Sequence, residues 1–434
     1  MLFRSRLVDR LAAQGLVTRV PTGAGLPAGL LAVRRRRAGV NGGPAVSAPD
    51  AERVPPWALV GSGLAVVAVA FGLARYGYGL LLPQMRTSLE LSLGRLGVIG
   101  GAGYGSYLVA SLACPALLSR WGPRTTVMAG GAAAVAGMAV CAAATGPLTL
   151  GVGVVVAGAS PALVWPPYVA AVEEHVPADR RARGHGIINS GTAYGVAVAG
   201  PVSLLATGSW RVAWSAFAAV ALLVTIWAVR TLPRGIHHTD GGTGAGGLVA
   251  VAREQGGRLL LAAFLAGLVA GSYATFGVEV ATAEAPLGEV SGGVFQTLVG
   301  VSGVAGGLVG ALLARTSLRR LLAATASTLA ASCLLLAAAP GLVLLSAVLY
   351  GASFIAVIGL LLIWSNALVP RAPATGIVTA MLAMSLGLVL GPPLAGVVAG
   401  EAGLATVFVA CAPLAATIGL LHPAGRRSSA PRPA

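Results

Sequence analysis

The sequence predicts an all-α integral membrane protein in which twelve transmembrane helices form two six-helix bundles related as parallel pseudo-repeats. Its composition lies far from that of soluble domains, since 56% of the residues are hydrophobic, 10% are charged and the mean hydropathy is +0.85. Apolar runs long enough to cross a bilayer recur along the chain, and short motifs of the first half recur in the second. These three observations define the fold class.

Each apolar run holds about 20 residues, the length that crosses about 30 Å of hydrocarbon as a helix. We expect helices because backbone groups in lipid must be hydrogen-bonded within their own segment, and because the runs lack the alternating pattern of barrel strands. The approximate runs cover residues 57–82, 96–118, 125–144, 147–171, 186–206, 211–231, 259–282, 292–314, 318–338, 341–366, 375–399 and 403–421.

A polar, glycine-rich stretch at 232–257 separates the first six runs from the last six. The sequence therefore predicts an N-terminal bundle at 57–231, a cytoplasmic linker over this stretch, and a C-terminal bundle at 258–421. We expect residues 1–56 to form a basic, disordered cytoplasmic tail and residues 422–434 to form a second cytoplasmic tail.

The arginines indicate the orientation in the membrane. All 29 basic residues are arginine, and all but four of them fall on one side of the bundle when every loop is assigned. Cytoplasmic loops carry the excess of basic residues, so we expect a multi-pass protein of the cytoplasmic membrane with both termini in the cytoplasm. Arg86, Arg95 and Arg211 fall on the outer side, and Arg75 is left within a span.

Several partners are disfavoured by the composition. The formal charge of +16 suggests nucleic acid, but the chain is too apolar for that partner. The four cysteines lie in apolar runs without a CxxC pattern, so we expect no metal site. The chain has no lysine and therefore no Walker-type GxxxxGK[ST] sequence, which excludes ATP-driven transport by this chain alone.

An internal repeat relates the two halves. The stretch "PALLSRWGPR" at 115–124 matches "GALLARTSLR" at 310–319, and the same offset sets Tyr78 opposite Tyr273 in the first and seventh runs. Halves of six runs that each begin on the same side are parallel repeats about an axis along the membrane normal.

The chain resembles the major facilitator superfamily from about residue 57 to residue 421. In that superfamily the loop between the second and third helices carries the pattern Gly-x-Leu-Ala-Asp-Arg-x-Gly-Arg-Arg. Four of the eight specified positions fit the pattern in "PALLSRWGPR". The fitting residues are Leu117, Arg120, Gly122 and Arg124, whereas Pro115, Ser119 and Pro123 replace the Gly, the Asp and an Arg.

The resemblance implies that these loops act as conformational switches. In the superfamily the loop arginines commonly meet an acid at the inner end of the fourth helix, where this chain has Glu173 and Glu174. The corresponding loop of the second half holds Gly310, Arg315 and Arg319. Two longer stretches, "FGLARYGYGLLLP" and "GIINSGTAYGVAVAGP", resemble bacterial permeases of the YbfB/YjiJ type.

The function that the resemblance implies is secondary active transport of a small organic molecule by alternating access, with no cofactor. We expect a monomer that contacts membrane lipid, and we expect no enzymatic activity. The alternative is a polytopic membrane enzyme acting on lipid-linked substrates, which would show paired carboxylates or a nucleophile with its base on a membrane-facing loop. Gly387-x-x-x-Gly391-Pro392 resembles an antiporter motif of the superfamily, but export, uptake, antiport and symport stay open.

Polar residues at helical spacing, on spans that line the path in the superfamily, are the candidate substrate-binding residues. Arg75 lies roughly 7 Å from the midplane, where a charge that faces lipid is costly. It either reaches toward the interface and ties helices together, or it binds an anionic substrate such as an organic anion, an amphipathic acid or an acidic drug. The candidates are Arg75, Tyr78, Tyr104, Tyr107, Asn189 and Trp364.

Two further features concern coupling and helix packing. The repeat places Glu279 near the outer end of the seventh run, as an outer-mouth residue or as a coupling carboxylate, so proton coupling stays open. Glycines spaced four apart, such as Gly101 with Gly105 and Gly191 with Gly195, predict close helix contacts.

Overall fold

The structure, a computed structural model, describes residues 17–18, 32–33, 55–205, 209–232, 256–284, 290–307, 309–313, 316–369 and 373–421. The chain divides into two units, Met1–Arg53 and Val54–Ala434. In the first unit, strand Val17–Thr18 pairs antiparallel with strand Ala32–Val33. The rest of the predicted tail and most of the linker lie outside the described residues.

The second unit is built from helices, and the described residues contain the twelve spans that the sequence predicts. Eight helical segments are apolar and long enough to cross a membrane. Two of them have 50 and 46 residues, enough for two crossings each. The more polar Arg181–Leu205 and the 17-residue Val290–Gly306 bring the total to twelve.

The first six spans follow the chain from Pro56 to Thr231. The first span combines Pro56–Val67, a π-helical segment at Ala68–Arg75, and Gly77–Ser88. The others are Leu93–Ala142 for the second and third, Pro147–Gly158 with Ser160–His175 for the fourth, Arg181–Leu205 for the fifth and Trp210–Thr231 for the sixth.

The last six spans repeat this arrangement. They are Gly257–Glu284, Val290–Gly306 with Val309–Leu313, Leu318–Ala338, Val343–Leu368 after a short 3-10 turn at Pro340–Leu342, and Pro373–Leu420 for the eleventh and twelfth.

Two glycines turn the double-length helices back through the bundle. Gly122 has φ 75° and Gly403 has φ 84°, and each sits where two spans meet. Both lie in the left-handed region, which side chains other than glycine rarely adopt. We call the end of the bundle that holds Gly122 the Gly122 end, and the opposite end, where the first span reaches Ser88, the Glu279 end.

Backbone contacts at small residues join the two halves toward the Glu279 end. A Cβ atom on Gly79 of the first span would strike the carbonyl of Ala274 in the seventh. The second span packs in the same way on the eleventh, and the fifth on the eighth, where Gly200 meets Gly293. Helices in lipid are held together by such close packing, because lipid tails are as apolar as the helix surfaces.

The predicted glycine contacts are confirmed in the fifth span and only half confirmed in the second. Gly195 lies against the backbone of Gly72 and Ala68 in the first span. Gly101 packs on Pro393, whereas Gly105 faces open space. The spacing of glycines identifies a helix face that can pack closely. Which glycine of that face makes the contact depends on the position of the neighbouring helix.

This difference supplies a matched pair for a stability test. Gly195→Ala should destabilise the fold by about 1–3 kcal/mol, because its methyl group would overlap the backbone of Ala68. Gly105→Ala should leave stability unchanged or raise it by up to about 1 kcal/mol, because alanine favours helix and meets no neighbour. Thermal unfolding of both variants in detergent measures this; equal melting temperatures would contradict the contact.

Candidate functional site

Arg75 ends a π-helical segment of the first span. The segment covers Ala68–Arg75, and the backbone N–H of Tyr76 reaches the carbonyl of Phe71, five residues back, at 3.1 Å. The wider turn surrounds the tight contact between Gly72 and Gly195. Wide turns of this kind are frequent at functional sites, and this one changes the direction of the side chains that follow it.

Three aromatic rings surround the guanidinium of Arg75. Its Cζ atom lies 4.4 Å from the ring centre of Tyr107, 4.8 Å from that of Tyr104 and 5.7 Å from that of Phe71. We call Phe71, Tyr104 and Tyr107 the aromatic cage. The negative faces of such rings stabilise a cation by about 0.5–1 kcal/mol at exposed sites and about 2 kcal/mol or more where water is excluded.

The cage leaves one hydrogen-bond donor of Arg75 without a partner. Its Nε atom is buried without a hydrogen-bond acceptor. Among the described residues, no carboxylate forms an ion pair with Arg75. A guanidinium carries N–H donors in a planar fork that matches a carboxylate or phosphate, so Arg75 presents a charge without a paired carboxylate and one donor without an acceptor.

A small cavity opens beside Arg75, at the contact between the halves. Its volume of about 20 Å³ suffices for about one water molecule. Tyr78, Gly100 and Tyr104 line it from the first half, and Thr275 lines it from the second. The cavity is thus bounded by both halves, as a site that changes access must be.

Tyr78 lines this cavity but its hydroxyl is already engaged. The hydroxyl donates to the carbonyl of Leu96 at 2.7 Å, and the residue is 4% exposed. Trp364, on the tenth span, is 2% exposed and its indole nitrogen has no partner. Three of the six predicted residues, Arg75, Tyr78 and Tyr104, line the cavity. Tyr107 contacts Arg75 through its ring without lining the cavity, and neither Trp364 nor Asn189 lines it.

Asn189 lies instead on the face of the fifth span that points between the halves. That span packs on the first span through Gly195 and on the eighth span through Ala197. Of the two remaining faces, one exposes Tyr194 and Val198, as expected toward lipid. The opposite face carries the polar positions His185, Asn189 and Thr192, which extend toward the Gly122 end.

An ion pair between Arg86 and Glu279 joins the halves at the Glu279 end. The Glu279 side chain is 11% exposed, and its Oε2 atom is buried without a partner. The sequence prediction of Glu279 at this end agrees with the geometry but missed Arg86. The signal was available, because the repeat aligns Glu279 with Gln84, two residues before Arg86.

A second cavity, of about 510 Å³, lies between the halves at the same end. Its polar wall includes Gln84, Thr87, Ser203, Arg211 and Thr282. The Cζ atom of Arg211 lies 4.0 Å from the ring centre of Trp210, and its guanidinium donates a hydrogen bond to the carbonyl of Ala144 at 2.9 Å. The guanidinium is therefore held by contacts within the first half.

At the Gly122 end, Glu173 binds two residues of the segment that leads from the fourth span to the fifth, which we call the connector. Its carboxylate lies 3.1 Å from Nη1 of Arg181 and 2.8 Å from Nε2 of His185. The predicted pairing with Arg120 or Arg124 is not found for Glu173; Arg120 is exposed and Arg124 is partly buried. The connector thus supplies nearer partners than the loop does.

Three of the remaining predicted switch residues can be placed on described helices. Glu174 follows Glu173 at the end of the fourth span, and Gly310 lies in helix Val309–Leu313. Arg319 is exposed at the start of the ninth span. Arg315 is outside the described residues.

Within the described ranges, no group of His, Cys, Asp or Glu could hold a metal ion.

Comparison with solved structures finds the same fold in three proteins, each of which is a transporter. The nucleoside transporter NupG has a TM-score of 0.69 at 14% identity, covering 83% of this chain and 97% of that chain. The peptide transporter POT in complex with sulfate gives 0.70 at 16% identity, covering 84% and 93%. The xylose transporter XylE from E. coli, in an inward open conformation, gives 0.68 at 14% identity, covering 84% and 95%.

These identities establish the fold alone, and no curated protein matches the chain. The sequence itself matches the Major Facilitator Superfamily over residues 64–381, from the first span to the eleventh. With its twelve spans, its contact between two halves and a match over more than half of its length, the chain belongs to the major facilitator superfamily.

Proposed function

We propose that this secondary transporter moves a small organic anion across the cytoplasmic membrane, and that Arg75 binds the anionic group. Membership of the superfamily makes the protein a membrane transporter of small molecules. The observation that supports an anion is the charge of Arg75, held among rings at the contact between the halves and paired with no carboxylate of the described residues.

The shape of the site favours a carboxylate or similar planar group. The rings of Tyr104 and Tyr107 lie beside the guanidinium, and its Nε atom is left to donate a hydrogen bond to a carboxylate. The other walls are small or apolar, including Gly100, Gly103 and Val154, so the rest of the substrate is apolar. An amphipathic acid or acidic drug fits both requirements.

A purely structural arginine would be held differently. It would reach an interface with its charged end or form a salt bridge between helices. Arg211 is an arginine of this structural kind, because its guanidinium lies near the Glu279 end and donates a hydrogen bond to the carbonyl of Ala144. Arg75 lies among aromatic rings, forms no ion pair with a carboxylate of the described residues, and has a buried Nε without a partner. A substrate anion is the group that would complete this site.

The contacts between the two halves indicate at which end the path is closed. The main contacts between the halves lie toward the Glu279 end, so the protein is closed there. With the orientation that the arginines predict, the open side faces the cytoplasm, and Asn189 lines the route to Arg75. We assign Arg86 and Glu279 to an outer gate, and Arg120, Arg124, Glu173, Glu174, Gly310, Arg315 and Arg319 to the cytoplasmic switch loops.

Export or uptake, and coupling to protons or to another solute, are compatible with this arrangement. The proposed relatives of the YbfB/YjiJ type are permeases, which agrees with either direction. Membership of a superfamily of transporters disfavours the alternative of a membrane enzyme.

The first prediction concerns Arg75 and the charge of the ligand. Benzoate should raise the melting temperature of the purified wild type, because a ligand that binds the folded state stabilises it by mass action. Benzamide, which has the same shape without the charge, should not. Arg75→Gln should abolish the shift, and Arg75→Lys should weaken it markedly, because an ammonium lacks the planar fork.

Arg95→Gln is the matched control, since Arg95 is exposed at the start of the second span and should leave the shift intact. Equal stabilisation by benzoate and benzamide, or an undiminished shift in a folded Arg75→Gln variant, would overturn the anion assignment.

The second prediction concerns the outer gate. Glu279→Gln should increase opening at the Glu279 end about fivefold or more, because a partly buried pair stabilises the closed state by about 1 kcal/mol or more. The readout is the rate at which an impermeant maleimide labels a cysteine placed at Thr282 in a background without the four native cysteines.

Reversing the pair with Arg86→Glu and Glu279→Arg together should return the labelling rate toward that of the wild type. Asp179→Asn removes the exposed pair with Arg180 at the other end and serves as control. If Glu279→Gln labels no faster than Asp179→Asn, the pair does not hold the gate.

A further inference from the structure

The larger cavity between the halves is separate from the cavity at Arg75. Its volume of about 510 Å³ lies within the range of about 300–1,000 Å³ that is usual for small-molecule sites. The two cavities share no residue among those described as lining them. The larger one lies at the Glu279 end, where its wall residues Thr87 and Ser88 are exposed. Solutes can therefore reach it from that side while the protein is closed there.

The wall of this cavity presents hydrogen-bond acceptors. The hydroxyl groups of Thr87, Ser203 and Thr282 each donate to a backbone carbonyl of their own helix, at 3.1, 2.7 and 2.9 Å. A hydroxyl oxygen that donates its hydrogen keeps its lone pairs for other donors. The side-chain Oε1 atom of Gln84, which also lines the cavity, is buried without a partner. The wall thus offers four acceptors that a ligand with donors can use.

The charge of the wall disfavours an ionic ligand. Arg211 is the one charged residue among the described residues that line the cavity. A cation would be repelled by this guanidinium and would find no carboxylate there. An anion would bring more acceptors to a wall that already presents four. A neutral molecule with several hydroxyl groups supplies the donors that these acceptors need.

The remaining wall fits the apolar surface of such a molecule. Leu80, Leu81 and Leu204 line the cavity beside the polar residues, and Gly292 and Gly293 line it without side chains. Sugars and cyclic polyols carry C–H groups between their hydroxyl groups, and these C–H groups can pack on leucine. The cavity therefore offers both kinds of contact to a ring of this class.

Both halves of the protein contribute to this wall. Gln84, Thr87 and Ser203 belong to the first half, and Thr282 belongs to the second. A ligand that touches both walls is bound best when the halves are together at this end. Such a ligand shifts the conformational equilibrium toward the closed state, because it binds that state more tightly than the open one.

We infer that this cavity is a second binding site, which takes a neutral polyhydroxylated molecule of sugar size and thereby holds the protein closed at the Glu279 end. A molecule bound there slows transport without competing for Arg75. The inference goes beyond the proposed function, since it requires no anion at Arg75.

Binding is measured with radiolabelled myo-inositol, glucose and sucrose on the protein in lipid nanodiscs, which contain no sugar-based detergent. At least one of the three should bind the wild type saturably. Ser203→Ala together with Thr282→Val removes one acceptor from each half at nearly unchanged volume. This double variant should weaken binding about tenfold, because two hydrogen bonds are lost.

Two variants serve as controls for the binding measurement. Thr406→Val removes an exposed hydroxyl group that also donates to its own helix, at 2.7 Å, but does not line the cavity. It should leave the affinity unchanged. Arg75→Gln should also leave this affinity unchanged, because Arg75 lines the other cavity.

The effect on closure is measured in intact cells, where the predicted orientation puts the Glu279 end outside. Thr275→Cys, in a background without the four native cysteines, places a thiol at a position that is 1% exposed at the contact between the halves. An impermeant maleimide added outside labels it only when this end opens. The bound compound, at ten times its dissociation constant, should slow labelling about tenfold.

The inference is overturned if none of the three compounds binds the wild type, or if the folded double variant binds as tightly as Thr406→Val. Loss of binding in Arg75→Gln would place the ligand in the other cavity and would also overturn it, as would a labelling rate that the bound compound leaves unchanged. Failure of the proposed function looks different, because it removes the effect of benzoate and leaves all of these results intact.

Discussion

The geometry of the path depends on the contact between the first and fifth spans at Gly72 and Gly195. There the two backbones touch, and a side chain on either residue would separate the helices. Because the hydrophobic effect does not drive helices together in lipid, such contacts determine where each helix lies. The π-helical segment Ala68–Arg75 surrounds this contact and ends at Arg75, so the position of the charge follows from where two glycines meet.

The free energies around Arg75 then decide what the residue can do. A guanidinium at the centre of a bilayer costs about 2.5–3.5 kcal/mol on insertion scales. Cation–π contacts with desolvated rings contribute about 2 kcal/mol, so the aromatic cage offsets a large part, but not all, of the free-energy cost of placing the charge there. Under the proposed function, a substrate anion would pair with this charge and accept a hydrogen bond from the unpartnered Nε. A fully satisfied arginine would have little affinity left for a ligand.

Much of the fold could be predicted from the sequence, because hydrophobic length determines a membrane span almost by itself. The twelve spans, the isolated charge at Arg75 and its neighbours Tyr104 and Tyr107 all followed from runs and helical spacing. The π-helical turn did not, because it depends on the contact with the fifth span. Tyr78 carries the same hydroxyl as Tyr104, and only the structure shows that a carbonyl already binds it.

The ends of the path were harder to predict than its centre. Glu279 could be placed by the internal repeat, and its partner Arg86 sits in the other half, where only the alignment of Glu279 with Gln84 points to that neighbourhood. Glu173 pairs with Arg181 and His185 instead of the loop arginines for a different reason: these residues follow it closely in the chain and lie nearer than the partners that a family pattern implies.

The ion pair and the lone charge have different effects on alternating access. A group can shift a conformational equilibrium only through its different interaction with the two states. The pair between Arg86 and Glu279 exists in the state closed at that end, so it biases the resting state. Arg75 lies at the cavity that both halves share, and its attraction for an anion is greatest when water is excluded from both sides. Under the proposed function, an anion at Arg75 would therefore favour the arrangement that excludes water, whereas the ion pair would favour closure at the Glu279 end.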